Sequence, residues 1–314
     1  MAITIKTALK HFSILTVIYA TVLVVLAPHC LAKNSINDTY SSESQYQQVL
    51  DNESYQVIIE SGTIETLNFL VKRAQSEHIN KKTMGDIIQW TSQQLLNSPY
   101  VFYLLDKTTP EYLYISLSKT DCVLFVEEVI VVSQLIKNNQ LNLSNYIAGI
   151  KQIRYHGNVV YCNRNHYFKD WVTMNERNGI VTDVGASLTQ IKLPFSANIL
   201  GDIISQDKTN IHYNNLNCIK DREKFVNTES IGFIPLQELP KYLKYIHNGD
   251  IIGIIRTANK SDSVHHLGIA YVHDGTVSMI HASSVAKKVV VAPSLAGYLA
   301  KFKDSLGIIL IRVK

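Results

Sequence analysis

"KTDCVLFVEEVIVVSQLIKNN" (residues 119–139) sets one cysteine between a polar turn and a nearly unbroken apolar run that ends at two asparagines. The apolar positions over 121–136 are nearly continuous, and at that length the run fits a buried helix better than a strand. Thr120 or Asp121 suits the N-cap, which puts Cys122 in the first turn. There the unpaired N–H groups and the positive end of the helix dipole favour a thiolate and can hold an oxyanion. Taken alone, the same position also suits a small buried hydrophobe at a helix start.

A helix of this kind needs elements to bury it, and the rest of the chain supplies them. Upstream, Ile64, Leu67, Val71 and Ala74 recur at helical spacing after Thr63, and a second helix over 83–96 stops at Asn97-Ser98-Pro99. Downstream, helices are expected at 144–154 and 166–177. "DIIGIIR" (250–256), "HHLGIAYV" (265–272), "TVSMIHA" (276–282), "KKVVVA" (287–292) and "LGIILIRV" (306–313) are short, β-branched and separated by turn residues, as in an antiparallel meander. Helices first and strands later predict an α+β fold. No Gly, Pro or Ser-rich linker divides residues 61–314, which read as a single catalytic domain with a helical N-terminal part (61–110) and a core (111–314).

The chain of 314 residues is 46% hydrophobic and 18% charged, enough to bury a full core. Residues 1–32 carry Lys6, Lys10 and His11 before an apolar run and then "PHCLA", the pattern of an export signal cut after Ala32. The expected location is therefore periplasmic or secreted, with no stable membrane insertion after cleavage. Residues 33–60 are largely polar and hydroxyl-rich and are expected to be flexible. Loss of Lys6 and Lys10 leaves the mature chain close to neutral with no basic run, which argues against nucleic acid as a partner. The mature chain keeps Cys122, Cys162 and Cys218, an odd number for an oxidising compartment. If Cys162 and Cys218 pair, Cys122 is the free thiol; three reduced thiols fit the count as well.

A base can be sought in the hairpin. A two-residue turn at Asp274-Gly275 pairs His273 with Thr276 and Val272 with Val277, a register that carries inward to Gly268 opposite His281 and puts His266 and His281 on one face. His266 can then take the thiol proton while His281 orients its ring. A zinc site using His265, His266, His273 or His281 lacks the spacing of known zinc motifs, so no metal and no cofactor is expected.

"TDCVLFVEEV", "NGDIIGI", "HHLGIAYV" and "SMIHASS", in this order, resemble the blocks of the NlpC-type papain-like cysteine hydrolases of the bacterial cell wall. "LLNSPYVFYLL" (95–105), "IRYHGNVVYCNRNHYFKDWVTMN" (153–175) and "ASSVAKKVVVAPSLAGYL" (282–299) are further similar to an N-acetylmuramoyl-L-alanine amidase-like branch, so that the resemblance covers most of residues 90–314. It implies a papain-like core in which the cysteine helix packs on an antiparallel β-sheet, with Cys122 as nucleophile, His266 as base and His281 as orienting residue. Tyr100 and Asp121 become auxiliary residues at the oxyanion. Arg154, Arg164, His166, Tyr167, Trp171 and Asn175 become candidates to grip peptide carboxylates and a sugar face. The implied substrates are muropeptides or peptidoglycan, cut at the amide between (anhydro-)N-acetylmuramic acid and L-alanine. An endopeptidase acting within the stem peptide, and a peptidoglycan-binding module without catalysis, are the competing readings. Asn97-Ser98, His156 and Asn165 depart from the family pattern in the groove rather than at the triad.

Overall fold

The computed structural model describes residues 46–50, 55–106, 110–198, 216–257 and 264–314. Strands β1 (Tyr46–Leu50) and β2 (Gln56–Glu60) lead into helices α1 (Thr63–Ser76) and α2 (Met84–Gln94), and β3 (Leu113–Ile115) then lies parallel to β2, which pairs antiparallel with β1. These strands correct the expectation of a flexible segment over 33–60. Val57 and Ile59, two residues apart, are buried in the core and hold β2 in place. Five residues of alternation at the end of a polar stretch give little signal until a partner strand is known. The expected signal at 1–32 and the rest of 33–45 lie outside the described residues.

The apolar run becomes α3 (Cys122–Lys137), capped at Asp121 and ended at Asn138. It lies against two strands of the large sheet and between α2 and α4 (Leu143–Arg154), so protein covers it on all sides. That coverage is why its apolar positions hardly pause. Helix α5 (Phe168–Arg177) begins two residues later than the expected 166.

The remaining strands are β4 (Val181–Asp183), β5 (Lys192–Pro194), β6 (Ser230–Gly232), β7 (Ile234–Pro235), β8 (Ile251–Arg256), β9 (Val264–His273), β10 (Thr276–Ser283), β11 (Lys288–Val291) and β12 (Ser305–Val313). The large antiparallel sheet runs β11-β10-β9-β8-β12-β4, with β7 added to β12, while β5 and β6 pair separately. The expected α+β character therefore holds as a mixed fold with a large antiparallel sheet, to which the short β1-β2-β3 sheet must be added. The hairpin has the expected register, His273 opposite Thr276 and Val272 opposite Val277, and both turn residues take positive φ, Asp274 at 47° and Gly275 at 73°.

Two clamps hold the layers together. Asp250, buried at the start of β8, accepts from Arg312 Nε (2.7 Å) and Nη2 (2.8 Å) on β12, and from the His247 N–H. Gly249 beside it has φ 82°, and a Cβ there would stand 2.8 Å from Gly85 Cα at the start of α2, so only glycine lets the helix sit this close. A disulfide joins Cys162 to Cys218 in the helix Leu216–Val226 across a sequence separation of 56, which by loop-closure entropy stabilises the fold by about 4 kcal/mol. Among the described residues Cys122 is the free cysteine, and it is half-buried.

Candidate active site

Cys122 is the first residue of α3. Asp121 Oδ1 accepts from Val123 N and Leu124 N, both at 2.9 Å, and Phe125 N donates to the Asp121 carbonyl. The first-turn amides expected to hold an oxyanion are thus largely taken by their own cap, and the Cys122 N–H, directed at its own sulfur, is the one left over. The Leu267 N–H of β9 also reaches the sulfur, so the thiol lies against the strand one residue from His266.

His266 Nε2 is 2.8 Å from His281 Nδ1 on the neighbouring strand β10, with the two rings nearly perpendicular. Because Nε2 is occupied, Nδ1 is the nitrogen of His266 open to a further partner. His281 is almost fully buried. His265, pointing to the other side, meets Arg256 and the Phe302 ring, and His273 pairs with Asp274 at the hairpin turn. Among the described residues no group of three metal-binding side chains converges.

The electrostatics favour neutral forms. Burial, and then the Asp121 carboxylate, push the Cys122 thiol up to about 12, against the opposing pull of the Leu267, Cys122 and Val123 N–H groups. Burial, followed by the positive charge that His281 and His265 can carry, pushes His266 down to about 3; burial and then Lys301 push His281 down to about 4. The helix-start effect expected to favour a thiolate is present, and desolvation outweighs it. Burial likewise raises Asp121 to about 6, although the Leu124 and Val123 amides oppose it.

Tyr100 is fixed beside this site by its backbone. Thr120 N donates to Pro99 O and Thr120 O accepts from Val101 N, each at 2.9 Å, clipping residues 99–101 to the residue that precedes the N-cap. Burial and the charges of Cys122 and Asp121 raise the Tyr100 phenol, which stays a hydrogen-bond donor. One aromatic residue escaped the sequence reading. Tyr298, on the short helix Leu295–Leu299, lies 19° from the His266 ring plane at 6.1 Å and meets His281 edge-on at 5.0 Å. Its phenol is raised to about 12, first by burial and then by Cys122. The stretch around it, "PSLAGYL", carries part of the family resemblance, but nothing in its residue types points to a role.

Residues 90–308 match the family described as N-acetylmuramoyl-L-alanine amidase-like (AmiA-like). The chain belongs to the N-acetylmuramoyl-L-alanine amidase-like family. Among solved structures, an N-acetylmuramoyl-L-alanine amidase from Bacteroides uniformis is 29% identical, with 74% of this chain and 99% of that chain covered at a TM-score of 0.68. A Bacteroides fragilis protein named as a candidate xylanase is 28% identical over 71% of this chain and 99% of its own, at a TM-score of 0.66. A Legionella pneumophila protein, 21% identical over 79% of this chain and 94% of its own, shares the fold at a TM-score of 0.62. No curated protein sequence matches the chain.

In this amidase-like chain five of the six expected substrate contacts are buried in the framework, while His166 is half-buried. Arg154 is 2% exposed, bound through Nε to Glu127 Oε2 (2.6 Å) and through Nη1 to Tyr114 O (2.6 Å). Trp171 is buried, stacks on Phe168 and donates to Glu127 Oε1; Tyr167 is buried with its hydroxyl on Glu223; Asn175 is buried and donates to Ile153 O and Trp171 O. Arg164 is buried against Asp106, Glu111 and the Leu105 carbonyl, and His166 Nε2 meets Tyr161 O at 2.7 Å. These side chains build the framework. Cations, amides and aromatics in one block point to a ligand, but once folded most of their polar atoms are spent on internal carboxylates and carbonyls.

Proposed function

We propose that the chain is an exported cysteine hydrolase of peptidoglycan fragments, built on a papain-like core, that cuts the amide between (anhydro-)N-acetylmuramic acid and L-alanine of the stem peptide. The observation that carries the reading is the His266–His281 contact, which commits Nε2 and leaves Nδ1 as the base on the strand touched by the Cys122 sulfur. Cys122 is the nucleophile, His266 the base and His281 the residue that holds its ring. The family supplies the substrate class.

Since burial keeps both partners neutral, the proton leaves Sγ for His266 Nδ1 as the sulfur attacks the amide carbon. The oxyanion is held by the Cys122 N–H and the Tyr100 hydroxyl, with Asp121 fixing the helix turn beneath. His266 returns the proton to the amide nitrogen, the C–N bond breaks and the peptide leaves as a free amine. Water, losing its proton to His266, then attacks the thioester, and breakage of the C–S bond releases the lactyl carboxylate and restores the thiol. Retaining glycosidases need two facing carboxylates; here the Asp121 carboxylate is bound to two amides and the open groups are a thiol and imidazoles.

Cell-wall substrates place the site of action outside the cytoplasm, in keeping with the proposed signal at 1–32. No helix among the described residues is long and apolar enough to cross a membrane. The test is mass analysis of products from N-acetylmuramoyl-L-alanyl-D-glutamate. Free sugar acid plus intact dipeptide, lost on Cys122→Ala, is the expected result. Cleavage inside the stem peptide, or equal products from Cys122→Ala, overturns it. Export is tested by the mass of the protein recovered from its native compartment, which should begin at Lys33.

A further inference from the structure

Arg154, Arg164, Tyr167, Trp171 and Asn175 are buried, and residues 100–106 offer an exposed surface beside the nucleophile. Phe102 is 47% exposed and Tyr103 71% exposed, side by side with ring centroids 6.0 Å apart. Phe102 in turn meets Tyr100 edge-on at 4.8 Å, so a continuous aromatic path runs outward from the nucleophile. Tyr103 also holds φ 56°, a left-handed conformation that a bulky residue adopts at a cost.

The segment is held from three sides. Leu104 is buried with Tyr114 and with Leu124, two residues after the nucleophile on α3. Arg164 Nη1 donates to Leu105 O (2.9 Å) and Nη2 to Asp106 Oδ1 (2.5 Å). From the β10–β11 hairpin, Lys287 O accepts from Tyr100 N, while Lys287 Nζ stands 4.9 Å over the Phe102 ring. A fixed, exposed aromatic edge that begins at the nucleophile is built to receive a ligand, because a free loop would fold such rings inward.

We infer that Phe102 and Tyr103 form the ledge on which the muramic-acid pyranose ring lies, with Tyr103 stacked on the sugar face and Phe102 held beneath by Tyr100 and Lys287. The inference rests on the amidase reading above. A pyranose ring presents a face of C–H groups that suits an aromatic ring, whereas a short acidic peptide does not, and Lys287 adds a cation for the sugar-side carboxylate freed by cleavage. Arg164, expected to touch substrate, is here a positioning residue for the ledge.

The test compares kcat/KM for N-acetylmuramoyl-L-alanyl-D-glutamate with that for the sugar-free analogue N-lactoyl-L-alanyl-D-glutamate. Tyr103→Ala should lose roughly tenfold on the first substrate, the size of one good aromatic contact, with the second unchanged, and Tyr103→Trp should restore it. Equal losses on both substrates, or none on either, overturn the ledge. Direct binding of N-acetylmuramic acid to the wild-type protein, followed by saturation-transfer NMR with Tyr103→Ala as control, needs no turnover. Sugar binding that depends on Tyr103 in a protein without amidase activity would sink the catalytic reading and keep the ledge; amidase activity with Tyr103-independent binding would do the reverse.

Discussion

Two polar clusters flank the same helix. At its start stand Cys122, His266, His281 and Tyr298. Further along, Glu127 is bound by Arg154 and Trp171, and Arg154 reaches the Tyr114 carbonyl. In the second cluster opposite charges meet at hydrogen-bonding distance and answer one another. In the first, burial forces a thiol and two imidazoles into neutral forms and leaves one ring nitrogen uncommitted. The difference teaches that a buried polar group with its partners in place is framework, while one with a spare valence beside the surface can do chemistry.

The contrast breaks most visibly at the helix start. Cys122→Ala should cost about 10⁴-fold or more in kcat while the melting temperature holds; a fall in both together would place Cys122 in the framework. Arg154→Met should do the opposite. Leaving the Glu127 carboxylate buried and unpaired costs roughly 3–5 kcal/mol of stability, measured by urea unfolding, while turnover per folded molecule stays close to wild type. Adding Glu127→Gln to Arg154→Met should recover part of that loss.

Within the first cluster the effects become smaller. His281→Ala should lower kcat about a hundredfold, as loss of an orienting partner does, and His281→Asn should recover most of it by keeping a hydrogen-bond partner for His266 Nε2. Acid sensitivity sharpens the comparison further. His266 and His281 have folded pKa values depressed to about 3 and about 4 from an ordinary 6.5, so the unfolded chain binds more protons below pH 6.5. Their contribution to stability is full above about 6.5, falls progressively below it and is gone once pH has passed through the folded values of about 4 and about 3. The melting temperature of the wild type should therefore drop more between pH 7 and pH 4.5 than that of His281→Asn. In the same range, turnover measured while the fold persists should show no acid limb near pH 6; a limb there would mean that His266 titrates as an ordinary imidazole.

Much of the fold was legible because its signals are local. The buried helix announces itself by an apolar run of helical length, Asp121 and Thr83 by their place before apolar residues, and the hairpin by Asp274-Gly275, whose type fixes the register that puts His266 beside His281. What was missed rests on distant partners. Val57 and Ile59 become a strand only because β3, more than fifty positions on, offers a parallel edge. Tyr298 joins the site only because its helix docks on the histidine pair. Arg154, Trp171 and Asn175 carry the residue types of a binding site, and only packing shows that their partners are internal.

By itself, then, the sequence determined the thiol at a helix start, the two imidazoles on one face of the hairpin and the family, since each follows from spacing a few residues long or from ordered short blocks. The tertiary structure decided which polar groups are spent inside, that desolvation outweighs the helix dipole at Cys122, and that the exposed aromatic edge at Phe102 and Tyr103 leads outward from Tyr100. Those outcomes depend on which distant surfaces meet, and burial, unlike spacing, exists only once they do.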